Sequence, residues 1–143
     1  MNAKTEFSEL FRAMARRDPG TIDRLLSELR EKEWAGGVQM IGAAFSLAVY
    51  RRFGSDRDLA SIALFVADTR ARYEAGKDLP ALEMEGLIRA ALGETELMSS
   101  ISPDVSFPAQ IVILGTLLED GGYTEAELEE FIQDVEETAA EYM

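Results

Sequence analysis

The chain contains no cysteine and no histidine. Without cysteine there is no disulfide, no thiolate metal ligand and no thiol nucleophile. Without histidine it lacks the commonest general base, the usual zinc and iron ligand, and any serine–histidine triad. No apolar run approaches the roughly 18–20 residues of a membrane span. The longest candidates, residues 38–50 and 107–118, have the length of core helices. The opening MNAKTEFSEL has neither the apolar stretch of a secretory leader nor the acid-poor composition of a transit peptide, so a cytoplasmic address is expected. Ser-x-x-Lys, Gly-x-Ser-x-Gly and glycine-rich phosphate loops are missing, and the Glu-x-x-His of helical di-metal sites is impossible. A non-enzyme without cofactor or metal is the expectation.

Basic residues are missing from one part of the chain. Residues 1–89 carry all 14 Lys and Arg and as many acids, whereas residues 90–143 carry 13 acids and no Lys or Arg. The whole net charge of −13 therefore originates in the last third. A field of that sign repels nucleic acid and anionic membranes and favours encounter with a basic protein. No nucleic-acid or membrane partner is expected.

What remains reads as one folded domain. With 47% hydrophobic and 29% charged residues, the 143-residue chain has the composition of a globular protein. That length buries roughly 70% of the surface an unfolded chain exposes. Helical spacing recurs throughout. Phe7, Leu10, Phe11 and Met14 predict a helix from a Thr5 cap to Arg17. Ile22, Leu25, Leu26 and Leu29 predict a second from a Thr21 cap, after the turn Asp18-Pro19-Gly20. Trp34, beside Gly36-Gly37, is expected to cover the core as a packing lid.

Residues 38–53 are apolar on two sides, with Val38, Ile41, Phe45, Ala48 and Val49 on one and Met40, Ala43, Leu47 and Tyr50 on the other. Such a helix belongs at the centre of a bundle, and Gly42, Ala43, Ala44 and Ser46 would let neighbours approach its waist. A fourth helix is expected over about 57–75 from a Ser55 cap, with Asp68–Arg72 and Arg70–Glu74 pairs. A fifth starts with Pro80 in its first turn and is lined by Leu82, Met84, Leu87, Ile88, Ala91 and Leu92. Residues 94–107 are irregular. Residues 109–114 are rich in β-branched side chains, as a strand would be. Pro108 at a helix start, the continuing Leu117 and Leu118, and the lack of a pairing strand favour helix. Thr124 and Glu127 form a capping box that opens the last helix, whose buried stripe is Leu128, Phe131, Ile132, Val135, Ala139 and Tyr142. The fold class predicted is a single all-α domain, residues 1–143, of six or seven helices around 38–53.

Two features bear on function. LEDGGYTEAELEEF, residues 118–131, is similar to the second half of an EF-hand calcium loop, with Asp120, Gly121, Tyr123, Thr124 and Glu127 in register. Thr116 and Leu118 stand where the opening ligands should be, and a Gly-Gly turn with a capping box explains the same residues without metal. The second feature is the outer face of the last helix. Glu125, Glu129, Glu130, Asp134, Glu136, Glu137 and Glu141 have no basic relief within their own segment. The expected role is a small acidic binding or regulatory protein that meets a basic partner through that helix. Inhibitor, immunity, antitoxin and chaperone roles all use such chemistry. A homo-oligomer whose basic first half meets a neighbour's acidic last third is the alternative, with a carboxylate calcium protein behind it. The same acids could also lie beside Arg12, Arg16 and Arg17 within one chain.

Overall fold

Side-chain caps set where four of the helices begin. The computed structural model describes residues 3–55 and 57–141, with the backbone alone at residues 3, 74 and 75. Helix α1 (Ala3–Ala15) already runs through Thr5, so Thr5 is not its cap. It closes with Arg17 in the left-handed region at φ 55, where the Asp18 amide donates to the Ala13 carbonyl at 3.0 Å. Helix α2 (Pro19–Glu31) is capped by Asp18 rather than Thr21. The Asp18 carboxylate accepts from the Thr21 amide at 3.3 Å and the Thr21 hydroxyl at 2.7 Å, and Pro19 takes the first turn, where a missing N–H costs nothing.

Helix α3 (Gly37–Phe53) packs against α7 and α8 and also touches α1 and α6, the central position its apolar sequence predicts. Its inward surface carries Met40, Ile41, Ala44, Phe45, Ala48, Val49 and Phe53. It is not buried all round. Val38 is 73% exposed and Tyr50 57%, and of the expected waist Ala43 and Ala44 are buried while Ser46 is exposed and a side chain added at Gly42 would meet open space.

Helix α4 (Leu59–Arg72) takes Asp58 as its cap, in place of Ser55, because the Asp58 carboxylate reaches the Ala60 amide at 3.4 Å. The Asp68–Arg72 pair forms at 2.6 Å, while the expected partner Glu74 has a side chain outside the described residues. A single turn, α5 (Glu74–Lys77), follows, then α6 (Ala81–Ala91), with Pro80 just before its first residue. Leu82 is not part of its buried lining but 80% exposed, whereas Met84, Leu87 and Ile88 are buried as expected. The irregular stretch contains a 3-10 turn over Thr95–Ser100.

Helix α7 (Pro103–Asp120) starts five residues before the predicted Pro108. Ser102 caps it by accepting from the Asp104 amide at 3.2 Å, and Pro103 supplies the first turn. Pro108 thus lies inside the helix. The N–H it lacks would have bonded the carbonyl of Asp104, a residue open to water, which keeps the cost low. The 109–114 segment is helical, and Ala109, Ile113, Leu114, Leu117 and Leu118 are buried against α3 and its neighbours.

Helix α8 (Glu125–Glu141) opens with the predicted capping box. The Thr124 amide donates to Glu127 at 3.0 Å and the Glu127 amide to the Thr124 hydroxyl at 3.1 Å. Leu128, Phe131, Ile132, Val135 and Ala139 are buried, and Tyr142 lies outside the described residues. The chain is therefore all-α, a single bundle with seven substantial helices among the described residues.

Trp34 is the lid that its sequence context predicts. It stands half-buried in the left-handed region at φ 58 and meets the Phe107 ring edge-on at 5.3 Å. Just before it, the Lys32 ammonium bonds the Glu6 carboxylate, which is 1% exposed. The burial of Glu6 is not visible in the sequence, where it reads as an ordinary first-turn acid. Glu83 is half-buried, and its Oε2 is shielded without a hydrogen-bond donor among the described residues.

Candidate functional site

Helix α8 lies between α1 and α3, and this position divides its acids into three rows. The row facing α1 is neutralised inside the protein. Arg12 donates two hydrogen bonds to Glu129, at 2.7 and 2.8 Å. Arg16 reaches Glu125 at 2.8 Å, and Glu136 takes the Ser8 hydroxyl at 3.0 Å with Lys4 at 3.6 Å. The row facing α3 is represented by Glu127, held first by the Thr124 amide and hydroxyl and then by Arg51 at 3.4 Å. These bonds lower the pKa of Glu125 (mainly through Arg16), of Glu129 (mainly through Arg12) and of Glu127 (mainly through the Thr124 amide). The Arg12 guanidinium shifts upward in return, with its hydrogen bond to Glu129 the largest cause.

The third row points to solvent. Glu130, Asp134, Glu137 and Glu141 follow one another at i, i+4, i+7 and i+11, which stacks them along a single ridge. None of the four has a cation partner among the described residues, and the Gln133 amide donates to Glu137 at 3.4 Å. Beside the ridge runs a groove of about 240 Å³ between α3 and α8. Leu47 and Phe131 give it an apolar side, while Arg51, Glu127, Glu130 and Asp134 give it a charged one. The Arg51 guanidinium lies 4.1 Å from the centre of the Tyr123 ring, which itself rests on Phe131 at 5.6 Å. Burial pushes the Tyr123 phenol up, so it stays protonated in neutral solution.

Of the seven acids predicted to meet a partner, the fold leaves Glu130, Asp134, Glu137 and Glu141 without a cation among the described residues and brings Glu125, Glu129 and Glu136 into bonds with α1. The sequence reading missed Leu47, Arg51, Glu127 and Phe131 as neighbours of the ridge. The only available signal was the charge segregation itself, since each of these residues has a sufficient local role in capping or packing.

Arg51, Arg52 and Arg57, three basic residues close in sequence, are also divided by the fold. Arg57 donates to the Leu92 carbonyl at 2.9 Å, Arg51 serves Glu127, and Arg52 lies over the Phe53 ring at 4.8 Å. The calcium-like segment does not form the entry half of a loop. Thr116 and Leu118 lie within α7, both buried, and the Thr116 hydroxyl bonds the Val112 carbonyl of its own helix. Among the described residues no group of three or more acids gathers closely enough to hold a metal ion, and no helix is long and apolar enough to cross a membrane. No protein-family model, curated protein or solved structure matches this chain.

Proposed function

We propose that the chain is a small, non-catalytic regulatory protein of the cytoplasm that engages a basic protein partner along the outward ridge of α8. The observation that supports this reading is the division of the acids on one helix. Arg12, Arg16 and Lys4 neutralise the row beside α1, yet Glu130, Asp134, Glu137 and Glu141 are left without cations among the described residues. Four like charges on one helix face repel each other, so a partner's Lys or Arg side chains would relieve a cost that the free protein bears. The adjoining groove suits the same partner. An aliphatic stem could lie on Leu47 and Phe131 while its charged end meets Glu130 or Asp134.

The homo-oligomer reading is less favoured, because part of the complementarity between the basic first half and the acidic last third is met within one chain, through Arg12–Glu129, Arg16–Glu125, Arg51–Glu127 and Arg72–Asp120.

The test is capture from the native host's lysate at low and high salt with three baits. One is the wild type; the second carries Glu130, Asp134, Glu137 and Glu141 as Gln; the third carries Glu125, Glu129 and Glu136 as Gln. The reading expects a basic protein held by the first and third baits, released by salt and lost from the second. Equal capture by all three, or loss from the third alone, would refute it. Recovery of untagged self by all three would favour the oligomer instead.

A further inference from the structure

A second concave site lies between α1, α2 and α7, on residues that the α8 reading does not use. It is a cleft of about 490 Å³, within the roughly 300–1,000 Å³ range of small-molecule sites. Its walls are apolar: Met14 from α1, Ile22 and Leu26 from α2, and Ile111 and Val112 from α7. All but Met14 are only half-buried, so the cleft presents hydrocarbon to water.

Gly115 helps keep this space open. It stands in the interior of α7, where glycine is less favourable than alanine. Packing does not demand it, because a side chain there would make ordinary contacts, 3.9 Å from Met14 Cε and from the Tyr73 hydroxyl. A longer residue would fill the cleft.

The mouth carries charge of mostly one sign. Glu119 and Asp23 both line it, with Arg17 as the cation. The Tyr73 hydroxyl donates to Glu119 Oε2 at 2.6 Å and so orients that carboxylate. Glu119 Oε1 has Arg17 Nε at 3.9 Å, beyond hydrogen-bond distance, while Arg17 Nη2 donates to the Glu119 carbonyl at 3.4 Å and the Arg17 side chain is 66% exposed. Asp23 has no cation partner among the described residues. Arg72 stands near Glu119 but is engaged by Asp68 and Asp120. Burial, then the bond to Glu119, pushes the Tyr73 phenol up to about 12, so it remains a donor across the physiological range.

We propose that this cleft binds a small cationic amphiphile, a primary amine on an aliphatic or aromatic body. The body lies on Ile22, Leu26, Ile111 and Val112. The ammonium takes Glu119 Oε1 and faces Asp23, replacing the 3.9 Å contact of Arg17 Nε with that oxygen. A carboxylate ligand would meet two anions for one cation, and a neutral one would leave the mouth unused.

The test compares hexylammonium, 1-hexanol and hexanoate, three probes of one length and different charge. Binding is read from the methyl resonances of Ile22 and Ile111 during titration. Saturable shifts are expected with hexylammonium, with hexanoate binding roughly tenfold or more weakly, the equivalent of one charged hydrogen bond. Glu119→Gln should weaken hexylammonium by about the same factor and leave 1-hexanol unchanged. Gly115→Leu should abolish binding of all three, with the far-ultraviolet circular dichroism of the wild type. Failure of every probe to shift those methyls would overturn the proposal. So would hexanoate or 1-hexanol binding as well as hexylammonium, or hexylammonium binding to both variants as to the wild type.

Discussion

Gly37 and Gly42 belong to the same helix, and replacing each with alanine is expected to move stability in opposite directions. Alanine is about 0.8–1 kcal/mol better than glycine in a helix interior. At Gly42 a new Cβ meets no atom within 4 Å beyond its own helix, so nearly all of that gain should be realised. At Gly37 the same atom would stand 3.0 Å from Phe7 Cζ, 3.3 Å from Phe107 Cζ and 3.3 Å from Trp34 Cβ. None of these can retreat easily. Phe7 is fully buried, Phe107 is braced by the Trp34 ring, and Trp34 has a left-handed backbone that leaves little freedom. Gly37 also starts α3, where the propensity gain is smaller than in the interior. Overpacking of this kind costs about 1–3 kcal/mol, which exceeds the gain and leaves a net loss of about 1–2 kcal/mol.

Urea unfolding of both variants measures the difference, with unchanged m-values showing that stability alone has moved. In melting temperature each kcal/mol corresponds to roughly 2–4 °C at this chain length. Trp34 is the one tryptophan, so its near-ultraviolet dichroism should change in Gly37→Ala and not in Gly42→Ala. A Gly37→Ala protein as stable as the wild type would mean that the rings give way. A destabilised Gly42→Ala would mean that the outward side of α3 is covered. Either result would refute the packing account of this helix.

The pKa values of Glu125, Glu127 and Glu129 are lowered on folding from the ordinary 4.5, so the stability they supply is complete above that pH and is lost as pH falls through their folded values. The melting-temperature gap between the wild type and a variant with all three as Gln should therefore narrow below about pH 4.5; a gap constant down to pH 3 would sink the assignment. Thr124→Ala removes the acceptor for the Glu127 amide and should cost about 1 kcal/mol in urea unfolding, and Thr124→Ser should recover most of it. Equal losses from both would show that the methyl group of Thr124, rather than its hydroxyl, is what matters.

Several parts of this fold follow from sequence alone because their causes are local. The two-sided apolar spacing of 38–53 predicts a central helix, and this stretch became α3, whereas the β-branched run 109–114 reads as helix only through its context and became part of its partner α7. The capping box at Thr124 and Glu127 needs only residues three apart, so it forms as written. Helix starts are less legible in the sequence where two capping residues compete. Asp18 and Asp58 displaced Thr21 and Ser55, and Ser102-Pro103 displaced Pro108, because which polar side chain reaches an amide depends on the path of the incoming chain.

The division of the acidic helix is the clearest case of what only tertiary structure decides. Charge segregation is plain in the sequence, since no Lys or Arg follows Arg89. Which acids are neutralised is not, because Arg12 and Glu129 stand far apart along the chain and meet only when α8 docks on α1. The same holds for buried Glu6 and for the cleft at Gly115, both made by helices that approach from distant parts of the chain. A sequence expresses the chemistry available at each position. Solvent exposure and charge pairing belong to the packed assembly, because water and counter-charges are excluded or admitted by neighbours that spacing alone does not specify.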